Sequence, residues 1–180
     1  MQPIGLLMRE HRLIERIIPL LKSEQERSTK TKKINSIFIN TAIDFFQTYA
    51  DKIHHGKEED ILFKALLPKK LNTEQKTIMK QLLEDHQRSR QVIHGLKDAN
   101  QKYLQGEISI LPAIQDSLGQ LIALYPHHIE IEDKHFFFPI MEYFSRKECD
   151  DMLQKFTDFD RNIIHEHYTL FIEEQEKKGS

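Results

Sequence analysis

The sequence predicts an all-α protein, four long helices that fit an antiparallel bundle followed by an additional C-terminal helix. Apolar residues recur at three- and four-residue steps along five stretches, the spacing of a helix with one buried face. The 180 residues include only six Gly and six Pro, which leaves little material for turns and favours long regular elements. No stretch alternates in the way a half-buried strand requires. With no internal low-complexity tract and no linker long enough to divide domains, residues 1–180 read as a single domain.

The first helix is expected from Ile4 to about Lys22, where Ile4, Leu7, Ile14, Ile18 and Leu21 share a face and His11 completes the series. Pro19 lies inside the pattern and is expected to kink the helix or mark its end. The polar run Lys22 to Lys33 has no period and reads as the helix end and a loop. A second helix is expected from about Thr31 to Leu67, stopped by Pro68. Its face through His54 carries Ile43, Ala50, Glu58, Ile61 and Ala65. The face through His55 carries Asp44, Thr48, Lys52 and Glu59. On a regular α-helix His54 and Glu58 therefore point inward, and His55 and Glu59 lie toward the rim.

A third helix is expected over Thr73–Tyr103, with Thr73 as N-cap and Met79, Leu82 or Leu83, His86, Ser89 and Ile93 inside. The fourth spans about Ser109 to Phe144, with Leu118, Leu121, Tyr125, His128 and Glu132 on one face. Pro126 is expected to open a kink or bulge beside His128. The last, from Arg146 to about Lys177, carries Met152, Phe156, Phe159, Ile163, Tyr168 and Phe171.

Charge and cysteine usage remove several functions. Lys and Arg total 26 against 28 Asp and Glu, a net charge of −2, so there is no footprint for nucleic acid and no polybasic membrane patch. The single Cys149 excludes a disulfide framework within the chain and any thiolate-rich zinc or iron–sulfur site. No apolar run approaches the roughly 18 residues of a membrane span, and the N-terminal residues lack a signal-peptide apolar region, so a reducing cytoplasm is the expected compartment.

The chemistry lies in the ten histidines. His54-x-x-x-Glu58 and His127-His128-x-x-x-Glu132 form a repeated motif, and residues four apart on a helix aim at one point. Each of the first four helices offers one inward His, at His11, His54, His86 and His128, and the second and fourth add Glu58 and Glu132. An ionised carboxylate buried without a partner costs roughly several kcal/mol, so an inward Glu58 asks for a cation. Four imidazoles and two carboxylates suit two metal ions with each carboxylate bridging both. Nitrogen and oxygen donors without thiolate point to iron first and manganese second. His55, His94, His127 and His167 are expected outside the ligand set. His135, His165 and Tyr125 are left open as neighbours of the ligands.

These residues carry a resemblance. The Glu10-His11-Arg12 start, His54-x-x-x-Glu58-Glu59 leading into Leu62-Phe63, Asp85-His86, and His128-x-x-x-Glu132-Asp133 match in order the four motifs of the hemerythrin-like, or HHE cation-binding, proteins. The resemblance covers essentially the whole chain. It implies an up-down-up-down four-helix bundle over about 4–144, a fifth helix over about 146–177 packed outside it, and a non-haem di-iron centre, oxo- or hydroxo-bridged. The oxygen carriers of this family take five His ligands, two of them four apart on the third helix, where this chain has His86 and Arg90. Four His with two Glu is similar instead to bacterial proteins of iron-centre repair under nitrosative stress and to hemerythrin-like iron and oxygen sensors. The resemblance thus implies a protein that binds or senses dioxygen, nitric oxide, peroxide or iron, with a repair protein as the alternative. A ferritin-like di-iron oxidase is the distant rival, since that scheme wants Glu where His11 and His86 stand.

Overall fold

A computed structural model describes the backbone of residues 2–178 and the side chains of residues 2–163. The described residues form five long helices and no strand. Helix α1 is Ile4–Thr31. Helix α2 occupies residues 36–66, in which two π-helical segments, Phe46–His55 and Glu58–Phe63, interrupt the α geometry. Helix α3 is Thr73–Leu104. Helix α4 occupies 111–141 and contains a π segment at Glu132–Phe136. Helix α5 is Arg146–Lys178. None of these is long and apolar enough to cross a membrane.

Helix α2 begins at Ser36, later than the expected Thr31, and two other boundaries differ through polar hydrogen bonding. Helix α1 continues nine residues past Lys22 because its inner face turns polar. Buried Glu24 accepts from Arg27 and from the Asn35 backbone N–H, and Gln25 donates to the Gln115 carbonyl of α4. The helix ends where Lys32 adopts φ 56° and returns its N–H to Ser28. Pro19 does not end it, since its ring lies on the exposed side. At the start of α3 the cap is Asn72, one residue before the expected Thr73. Asn72 and Gln75 exchange side-chain and backbone hydrogen bonds as a complete capping box.

The contacts close a ring: α1 packs on α4, α4 on α3, α3 on α2 and α2 on α1, while α5 lies against α2. Two apolar clusters fill the ring. One is built around Ile14, Leu21, Phe46, Ile93, Leu118 and Leu121. The other is built around Leu7, Leu62, Leu82, Phe136 and Ile140, and takes in Met152 and Phe156 of α5. Each such side chain contributes about 1.5–3 kcal/mol on burial. On every helix of the ring a short polar stretch separates the two clusters, and those stretches meet in one layer. Beside it α5 approaches α2 closely: a Cβ on Gly56 would stand 2.7 Å from Phe159 Cζ, so glycine is what lets this crossing form.

Candidate metal centre

The polar layer brings the six sequence-predicted residues together. His11, Glu58, His86 and Glu132 have no exposed surface, and His54 and His128 almost none. Together with His55 they fall in two overlapping groups of donor atoms, His11, His54, Glu58 and Glu132, and His55, Glu58, His86 and His128. Within each group the atoms lie within 4.8 Å of one another. Glu58 belongs to both, with Oε1 3.4 Å from His54 Nε2 and Oε2 3.4 Å from His86 Nε2. Glu132 Oε2 also spans the pair, 3.1 Å from His11 Nε2 and 3.3 Å from His128 Nε2.

His55 is the correction to the expected register. It is 1% exposed and stacks on His86 with centroids 3.8 Å apart, instead of lying toward the rim. The cause is the π segment Phe46–His55. Hydrogen bonding to the fifth residue back puts more residues into each turn and narrows the angle between neighbours. Both His54 and His55 then face the interior, His54 toward His11 of α1 and His55 toward His86 of α3. The expected irregularity near Pro126 is also displaced: Pro126 is exposed in a continuous helical stretch, and the π segment begins at Glu132.

Each imidazole is addressed from outside by a carboxylate. Asp133 of α4 lies 2.7 Å from His11 Nδ1, Glu10 of α1 lies 2.9 Å from His54 Nδ1, and Glu59 of α2 lies 2.7 Å from His86 Nδ1. Asp85 of α3 stands 3.6 Å from His128 Nδ1, and Asp51 stands 3.5 Å from His55 Nδ1 within α2. The acid beside each helix's own site residue therefore serves the His of the next helix around the ring. For His11, His54 and His86 the hydrogen-bonded carboxylate at Nδ1 fixes the tautomer and leaves Nε2 as the electron-pair donor, whereas Nδ1 of His55 and His128 faces its acid without a hydrogen bond. Cations hold these acids in turn: Arg12 pairs with Asp133, Lys57 with Glu10, and Arg90 with both Asp51 and Glu59.

The inward atoms fit a cation. Nε2 of His11, His54 and His55 and all four oxygens of Glu58 and Glu132 are buried without an aligned hydrogen-bond partner. Buried polar atoms are otherwise nearly always satisfied. Iron, manganese and similar ions accept this mixed imidazole and carboxylate set.

By the protein's own charges, burial and then the neighbouring imidazoles hold His54 and His55 well below the usual histidine range. Burial followed by the charge of His128 takes His86 to about 3. Burial opposes protonation of His11 as well, but hydrogen bonds to Asp133 and Glu132 outweigh it and lift His11 to about 9. Burial, with Glu132 beside it, pushes Glu58 well up, whereas the His128 charge and the His11 hydrogen bond overcome burial and hold Glu132 low.

These shifts set a pH profile for protein stripped of metal. His54, His55 and His86 stabilise the fold fully above the unfolded value near 6.5, and that contribution is lost as pH falls below it, toward about 3 for His86. Glu58 acts oppositely, its contribution being present below 4.5 and lost as pH rises. His11 contributes below 6.5 and loses this as pH rises through about 9. Three losses against one gain leave a net loss of stability as pH falls from 6.5 to 5. Thermal melts should show a clear drop over that interval, and a flat profile would contradict the assignment of neutral buried imidazoles.

The remaining residues separate cleanly. His94 is exposed and pairs with Asp98, and His127 and His135 are exposed. The Glu132-x-x-His135 pair of a ferritin-like scheme is therefore not presented to one point. Tyr125 is buried, lies parallel to His55 at 6.3 Å, and shares a 2.8 Å hydrogen bond with Ser89. The side chains of His165, His167, Tyr168 and Phe171 lie outside the described residues. His55, expected outside the ligand set, joins one of the two donor groups; the Asp51-x-x-x-His55 spacing, which puts an acid four residues before it, is the signal for this in the sequence.

A helical bundle with a buried layer of imidazoles and carboxylates defines a metal-binding bundle protein. The chain belongs to the hemerythrin family: the hemerythrin HHE cation-binding domain matches residues 2–137, which takes in all the site residues and stops before α5. No curated protein and no solved structure gives a significant match.

Proposed function

We propose that this chain is a non-haem di-iron protein that binds or senses a small ligand, dioxygen, nitric oxide or peroxide, at the buried centre. The observation that carries this reading is Glu58, whose two oxygens face different imidazoles in two groups of donors. His11, His54, His55, His86 and His128 would hold the metals from the two sides, with Glu58 and Glu132 placed between them. Bound iron would supply reversible coordination of such a ligand and one-electron redox change. The protein's role is to orient and to exclude water. His11 and His54 give one side two imidazoles, and His55, His86 and His128 give the other three. Phe63, Phe136 and Phe137 close the layer on the side of the second apolar cluster.

The fifth imidazole favours ligand binding over iron-centre repair. Arg90, where the oxygen carriers resembled here have a ligand, instead anchors the acids serving His55 and His86. The bundle is up-down-up-down, within a single domain. Supporting this, α1 and α3 run from the Leu7 and Leu82 cluster into the Ile14 and Ile93 cluster, whereas α2 and α4 run the other way. Spectra of the iron-loaded protein test the function. Oxidised, reduced and nitric-oxide-treated forms should give three distinct spectra, reversible on removal of the ligand and without steady turnover of a reductant. Rapid catalytic turnover of peroxide, or irreversible loss of iron to an acceptor, would overturn this reading.

A further inference from the structure

Lys57 follows the His54-His55-Gly56 run on α2 and has no exposed surface. A buried ammonium is costly unless it is paired and hydrogen-bonded. It has two acidic partners, Glu10 of α1 and Asp160 of α5, the latter with Oδ1 at 2.8 Å and Oδ2 at 3.1 Å. Glu10 divides its carboxylate: Oε1 takes Lys57, and Oε2 stands 2.9 Å from His54 Nδ1. Asp160, Lys57, Glu10 and His54 thus form one file of charge and hydrogen bonds, from a helix beyond the family-matched segment to a ligand of the centre.

We propose that Asp160 is a positioning residue for the two-imidazole side of the centre, acting through Lys57 and Glu10 on His54, so that metal binding and docking of α5 reinforce each other. The proposal rests on the two-metal reading above. Asp160 shares the charge of Lys57, which leaves Glu10 free to hold the His54 ring and raise the basicity of its Nε2. Without the Asp160 charge, Lys57 draws on Glu10 alone and His54 loses some of its support. The effect falls on His54 and not on His55, His86 or His128, whose Nδ1 atoms face Asp51, Glu59 and Asp85. Coupling of binding free energies is reciprocal, so a cation on His54 tightens the file and holds α5 where Phe159 meets Gly56.

The test uses the full chain, with Asp160→Asn, the charge-retaining Asp160→Glu, and Asp158→Asn as an exposed control on the same helix. Ferrous iron is titrated anaerobically against a competing chelator, and amide hydrogen exchange over residues 146–163 is followed with and without iron. Asp160→Asn should weaken one of the two irons on the order of tenfold, the lower range for outer-shell changes, and leave the other unchanged. Asp160→Glu should recover most of the loss and Asp158→Asn should match the parent. Iron should slow exchange near Phe156–Asp160 in the parent protein and not in Asp160→Asn. Unchanged affinities, equal weakening of both irons, or exchange in the parent insensitive to iron would each overturn the proposal. A parent chain that takes up no iron would instead remove the two-metal reading, a failure visible before any variant is compared.

Discussion

Replacing Glu58 with Gln will strip the centre of metal and at the same time raise the melting temperature of the metal-free protein. Glu58 faces both groups of donors, so its loss disturbs both metals together. Outer-shell substitutions alone cost about 10–100-fold in affinity, so removal of a shared ligand should cost a hundredfold or more. Without metal the same carboxyl is a liability. It is buried beside Glu132 and pushed well above its ordinary range, so holding it in the fold at neutral pH works against stability. A neutral amide of the same shape relieves this, so the chelated variant should melt higher than the chelated parent at pH 7. Elemental analysis and melts of chelated protein check the two halves. A Glu58→Gln protein that keeps its full metal content contradicts the bridging role.

Replacing His55 with Ala will weaken the metal on the three-imidazole side by at least about tenfold, to the point where purified protein retains about one iron in place of two. The ring also stacks on His86 and lies against Tyr125, so its removal leaves a gap that costs about 2–4 kcal/mol of stability. His127→Ala, at an exposed neighbouring motif position, should do neither. Competition titrations separate these outcomes. A His55→Ala protein that binds both metals as tightly as the parent would return His55 to a packing role.

The contrast between His55 and its neighbours shows what the sequence could convey. The helices were legible because Leu7, Ile14, Leu118 and Leu121 repeat at helical spacing, and the inward positions of His54, Glu58, His128 and Glu132 followed from the same periodicity. His55 was not legible, because its placement depends on a π segment that changes the angle between neighbouring residues. An α-helical projection sends it to the rim. The end of α1 was hidden for a related reason: Glu24, Gln25 and Ser28 line an inner face made of hydrogen bonds, which leaves no apolar period to read. The outer acids Glu10, Glu59, Asp85 and Asp133 stood beside the site residues in the motifs. That each serves the neighbouring helix is a fact of packing.

The proposed centre has two metals sharing the Glu58 and Glu132 carboxylates in one buried layer. The most direct measurement is iron per chain combined with electron paramagnetic resonance of the oxidised protein. Two irons per chain, as expected of a paired carboxylate site, should give almost no resonance because bridged high-spin ferric ions couple antiferromagnetically. Reduction by one electron should produce the signal of a mixed-valence pair. Two irons with the full signal of isolated ferric ions, or a single iron per chain in fully loaded protein, would contradict the shared Glu58 and Glu132 bridges.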